Sequence, residues 1–155
     1  MTLRFLDAQV LLAHCKADGD AREVEQYGES AEWAAESILN RSVYATEEEA
    51  AEARVAGKQA FIDARTDYDM ARDTAGSDLD LAEYEYKQAR IKAWRDINAI
   101  HADPELIGAM LMHAAHLFYN RTDVVTGQYG SAAVTVPMNS QWVYERKRLR
   151  EGAMP

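Results

Sequence analysis

Apolar residues recur along this chain at helical spacing from its start to about Arg121. Phe5, Ala8, Leu11 and Leu12 share one face of a short helix predicted over residues 5–16. Asp18-Gly19-Asp20 breaks it, with Gly19 turning the chain and Asp20 placed to cap the next helix. Val24, Tyr27, Ala31, Ala34, Ile38 and Leu39 mark that second helix, which reaches about Asn40. Thr46-Glu47-Glu48-Glu49 is a capping-box pattern that opens a third. Its stripe runs from Ala50 through Gly57, Phe61, Ala64, Tyr68 and Ala71 and stops at Gly76-Ser77. A similar stripe of Leu79, Ala82, Tyr86, Ala89, Ala93, Ile97 and Ile100 resumes after it. Two such stripes around a Gly-Ser break predict an antiparallel helical hairpin with arms on the order of 35–45 Å long. One long kinked helix satisfies the same spacing. Asp103-Pro104-Glu105 starts a further helix: a capping Asp, a Pro in the first turn, a Glu near the positive dipole end. Ile107, Met110, Leu111, Ala114, Leu117 and Phe118 carry it to about Arg121.

The pattern then changes. Val124, Val125, Val134, Thr135 and Val136 favour extended structure, and Gly127 and Gly130 favour turns. A lone two-stranded ribbon is marginal unless it packs on something. Trp142 to Arg150 reads as a last short basic helix. The expected fold class is therefore all-α, in one domain. A small helical bundle comes from about 3–44 and 103–121, an inserted helical hairpin from about 46–101, and an extended, β-like C-terminal tail from about 122–155.

Composition narrows the function classes. At 48% hydrophobic the 155 residues can build a core, and three prolines and eight glycines suit long helices. A formal net charge of −9 argues against a reader of duplex DNA, whose affinity rests on neutralising phosphates. It is compatible with a surface that DNA slides past. Cys15 is the only cysteine, so no intrachain disulfide or Cys-rich zinc site forms. No basic region precedes an apolar run, and no apolar stretch approaches the roughly 20 residues that span a bilayer. A soluble protein made in a reducing cytoplasm, with no membrane partner, is the expectation.

Candidate chemistry is sparse. His113 and His116, three apart on one helix, are the best metal candidates, and they support a metal-dependent helical-bundle enzyme as a distant alternative. No Glu-x-x-His or His-Glu-x-x-His motif surrounds them, so histidines on or beside a packed face are the plainer reading. Cys15 beside His14 reads as a buried helical cysteine, because adjacent helix residues point in different directions. Tyr68, Tyr84, Tyr86 and Trp94 fit a core or interface stripe better than a base-stacking one on so acidic a helix pair. Arg146, Lys147, Arg148 and Arg150 form a basic end that suits an acidic partner surface first, with contact to channel DNA or simple solvation as the alternatives. Asn120 and Arg121 fit a helix end, Asn in the left-handed region and Arg at the negative dipole end. There is no Gly-rich phosphate loop and no serine nucleophile elbow. No cofactor is expected.

The order of these features is similar to that of a known family. Leu117-Phe118-Tyr119-Asn120-Arg121, then Asp123-Val124-Val125-Thr126-Gly127, then Val136-Pro137 and a final Arg148 resemble the closing signature of phage head–tail connector (adaptor) proteins. Ala8 to Lys16, Asp18 to Asp20 and Ala31 to Arg41 resemble the family's opening helix, acidic turn and second helix. The resemblance spans about two-thirds of the chain. Phe118, Tyr119, Thr122, Asn139, Arg146 and Lys147 depart from the usual residues.

The resemblance implies a non-enzymatic subunit of the virion neck. Such subunits form a ring, typically dodecameric, beneath the portal protein. The ring extends the DNA channel without reading sequence and receives a head-closure or tail-completion protein. Asn120, Arg121, Val125, Gly127, Val134, Val136, Pro137, Trp142 and Arg148 are then the structural or interface residues. A tail that only reaches out predicts that deleting everything after Thr122 leaves the helical part folded but unable to assemble. A non-viral coiled-coil-type adaptor is the principal alternative.

Overall fold

A buried carboxylate shapes the start of the chain. In the computed structural model, which describes residues 3–17, 21–74, 79–120 and 137–149, Glu32 is almost fully buried and gathers three successive amides. Arg4, Phe5 and Leu6 donate their N–H groups to it, Phe5 and Leu6 both at 2.8 Å and Arg4 at 3.0 Å. Helix α1 spans Ala8–His14 rather than beginning at Phe5, because Asp7 sits in extended backbone as its cap and accepts from the Gln9 and Val10 amides at 2.9 Å. Helix α2 is Arg22–Leu39. A two-residue strand β1 (Val43–Tyr44) precedes α3 (Glu47–Thr74), and α4 (Leu79–Ile97) is followed by β2 (Ile100–His101). Helix α5 is Pro104–Tyr119, and α6 is Met138–Lys147. The described residues are thus mostly helical.

The chain divides into two compact units. The first is built from Met1–Leu39 and Ala102–Arg148. Its core joins α1, α2 and α5 through Leu11, Cys15, Val24, Ala31, Ala114 and Phe118, with Tyr27 meeting Phe118 edge to face at 5.7 Å. Asp103 caps α5 by accepting from the Leu106 amide at 2.9 Å, where the sequence places the start.

Helix α6 belongs to this core. Ser140, Val143 and Tyr144 are buried, and the Ser140 hydroxyl donates to the Ala109 carbonyl at 2.9 Å. Residues 138–147 are therefore not part of an extended tail, because their apolar face has α5 and α2 to bury against. The expected ribbon over 123–136 lies outside the described residues.

The second unit is the helical hairpin Asn40–His101 together with Leu149–Pro155. Helices α3 and α4 run antiparallel: Gly57 meets Ala93 and Ile97, while Tyr68 stacks on Tyr86 with ring centroids 4.8 Å apart. The hairpin reading therefore holds over the kinked helix. At 28 residues α3 is about 42 Å long, and the 19 residues of α4 give about 28 Å, shorter than the spacing suggested. Thr46 and Glu49 form a reciprocal capping box, Glu49 N–H to Thr46 Oγ1 at 3.2 Å and Thr46 N–H to Glu49 Oε2 at 3.3 Å.

The base of the hairpin is closed by the parallel pairing of β1 with β2, Val43 opposite Ile100 and Tyr44 opposite His101. Polar clamps reinforce it. Ser42 Oγ donates to Asp96 at 2.5 Å, Arg54 Nε donates to the Ala99 carbonyl at 2.8 Å, and Arg54 and His101 both reach Glu47 at 2.8 Å. Arg54 and His101 together hold the Glu47 carboxyl below its usual range.

Candidate assembly interface

Helix α6 separates its residues onto two faces. Ser140, Val143 and Tyr144 point into the first unit's core, while Met138, Trp142 and Arg146 follow one another at i, i+4 and i+8 on the opposite side. Met138 is 85% exposed and Trp142 61% exposed. The Arg146 guanidinium lies 4.5 Å over the Trp142 ring, which stiffens the row. Arg146 also pairs with Glu105, and Lys147 pairs with Asp103 at 2.5 Å and Glu105 at 3.3 Å. A helix anchored by its buried face thus presents a methionine, a tryptophan and an arginine on its open one. These side-chain types concentrate at protein–protein contacts.

The same pairs revise the basic end. Arg146 and Lys147 were expected to face an acidic partner surface, but the acidic partners are Asp103 and Glu105 in the first turn of α5. Arg148 follows α6 in extended backbone, exposed, with its guanidinium 3.3 Å from Glu145. Pro137 takes the cap position of α6 at φ −54° and ψ 139°, with no side-chain capping bond.

Asn120 ends α5 in another way than expected. Its backbone is at φ −103° and ψ 37°, outside the left-handed region, and its side chain closes the helix by donating to the His116 carbonyl at 2.8 Å. Next to it, the Tyr119 hydroxyl donates to the Cys15 carbonyl at 2.6 Å, tying the ends of α5 and α1. Lys147 meets Asp103 at the start of α5, so Asn120 and Arg148 are separated by the length of that helix, about 24 Å. Arg121, Val125, Gly127, Val134 and Val136 lie outside the described residues.

The histidines do not converge. His113 is fully buried with both ring nitrogens unpaired, and its ring centroid is 6.2 Å from that of Tyr144, whose hydroxyl is also unpaired. Burial, with a smaller contribution from His116, pulls the His113 pKa down to about 4, and burial pushes the Tyr144 phenol up. His116 Nδ1 instead faces the Asn120 amide at 3.0 Å. Among the described residues no three His, Cys, Asp or Glu side chains gather at metal-binding distance. Burial raises the Cys15 thiol pKa, which disfavours the reactive thiolate. No helix among the described residues is long and apolar enough to cross a membrane.

Sequence reasoning missed two features. Glu32 reads as one more solvated acid of α2; only its contacts with residues 4–6 mark it. The exposed face of α6 had a signal, Met138 and Trp142 four apart, but its meaning depended on the opposite face being buried. Comparison with protein families, with curated proteins and with solved structures finds no match to this chain.

Proposed function

We propose that this chain is a structural subunit of a phage or prophage head–tail connector. It assembles as a ring under a portal protein, prolongs the DNA channel, and receives a head-closure or tail-completion protein. Its place is the neck of the virion, after synthesis in the host cytoplasm. The supporting observation is the exposed Met138–Trp142–Arg146 row on a helix locked into the first unit. Its rigidity lowers the entropy lost on docking, and its residue types supply buried anchors. The row falls within the C-terminal segment that resembles the connector family. A net charge of −9 suits a wall that DNA passes without being held.

A second reading, a helical adaptor outside any phage, draws on the exposed apolar residues of the hairpin, among them Val55 and Ile62. Coexpression with the portal protein from the same gene neighbourhood separates the two. The connector reading expects copurification and ring particles in micrographs of the complex, lost in Trp142→Ala with the helical content unchanged. Failure to bind that portal refutes it.

A further inference from the structure

The distal half of the hairpin carries a surface that, among the described residues, is lined by α3 and α4 alone. Between α3 and α4 lies an open groove of about 170 Å³. Its floor is the Tyr68–Tyr86 stack flanked by Ala64, Ala71, Ala82 and Ala89, and Asp67 and Glu85 stand on its two sides. Met70 lies three residues on from Asp67 and Leu81 four before Glu85, so helical spacing puts both on the same rims. Met70 is 56% and Leu81 57% exposed. The alanines recur seven apart on each helix, which leaves a small-residue channel about 10 Å long along the axis. A third helix can approach such a channel closely and complete a three-helix bundle.

Charge selects the occupant. From Asp63 to Arg90, the span that frames the groove, the sequence carries eight acidic and four basic side chains. Arg65 pairs with Asp69, Arg72 with Asp69 and Asp73, and Arg90 lies over the Tyr86 ring at 6.0 Å. Asp67 and Glu85 have no cationic partner among the described residues. A nucleic acid or an anionic membrane would be repelled. A second copy fits poorly, because it carries the same net charge of −9. We infer that this groove docks a basic amphipathic helix of another protein, its apolar side chains on the tyrosine–alanine floor and its Lys or Arg against Asp67 and Glu85. The inference stands on the groove alone and holds whether or not the chain is a connector.

The test uses the full chain and a fluorescein-labelled peptide of about 18 residues, leucines at i, i+3, i+4 and i+7 with lysines elsewhere, by anisotropy at about 0.15 M salt. The expected result is saturable binding, weakened about tenfold or more by Asp67→Lys with Glu85→Lys, and likewise by Met70→Ser with Leu81→Ser. Glu48→Lys with Glu52→Lys, an equal charge change near the start of α3, should shift binding by no more than about threefold. The same peptide with Glu for Lys should not bind. Circular dichroism checks that every variant keeps its helix content. The inference is overturned if the Glu48/Glu52 pair loses as much affinity, which would mean diffuse attraction only. It is also overturned if the Glu peptide binds, if the Met70/Leu81 pair is neutral, or if sedimentation shows self-association that the Met70/Leu81 pair abolishes.

Discussion

Lowering the pH should weaken the first unit through one side chain, His113. It is fully buried, its two ring nitrogens lack partners, and its pKa falls from the ordinary 6.5 to about 4. The folded chain therefore binds this proton less readily than the unfolded chain. A depressed pKa contributes stability that is complete above about 6.5 and is lost as pH falls from there toward 4. At about 1.4 kcal/mol per pKa unit the whole effect is roughly 3 kcal/mol, of which about 2 kcal/mol is gone by pH 5. His113→Leu removes the titrating group and also two unpaired buried nitrogens, so the variant should equal or exceed the parent at pH 7.5. Urea unfolding followed by circular dichroism, for both proteins at pH 7.5 and pH 5, measures this directly. Other histidines and carboxylates are common to both, so the difference between the two pH dependences isolates His113. The parent should lose about 2 kcal/mol more than the variant on acidification. Parallel pH profiles would refute the argument, as would a variant several kcal/mol less stable at pH 7.5.

Other consequences rest on particular contacts. Glu32→Ala leaves the Arg4, Phe5 and Leu6 amides without their acceptor and should cost about 3 kcal/mol or more; hydrogen exchange at those amides should accelerate, and unchanged protection would count against the assignment. Gly57→Ala places a methyl group 2.8 Å from the Ile97 amide nitrogen and 3.0 Å from the Ala93 carbonyl oxygen, and should lower the thermal midpoint by the equivalent of about 1–3 kcal/mol. Gly108→Ala meets nothing within 4 Å and should gain up to about 1 kcal/mol, so the two glycine variants should move in opposite directions in the same melt. Deletion from Met138 onward strips Tyr144, Val143 and Ser140 from the first unit and should destabilise it, contrary to the tail expectation, whereas Trp142→Ala should leave its melting temperature within about a degree or two.

Local chemistry is written in the sequence. The capping box at Thr46, the Asp103-Pro104 start, and the stripes of α3 and α4 depend only on neighbours a few residues apart, and those elements lie close to where their spacing puts them, although α4 stops at Ile97 and Ile100 pairs in β2 instead. The mostly helical character arises from the same short-range propensities. Tertiary structure decided what needs a distant partner. Glu32 becomes a buried anchor because residues 4–6 come to lie against α2. Asn120 closes α5 with its side chain, and the parallel pairing of Val43 with Ile100 forms only when the hairpin brings them together. The candidate interface divides in the same way: Met138, Trp142 and Arg146 are evident as a row, but only the burial of Tyr144 on the other side fixes which way that row faces. The basic C-terminal helix looked free in the sequence because its counter-charges, Asp103 and Glu105, are more than forty residues away along the chain. Charge pairing at that separation is a property of the packed core, and periodicity carries no trace of it.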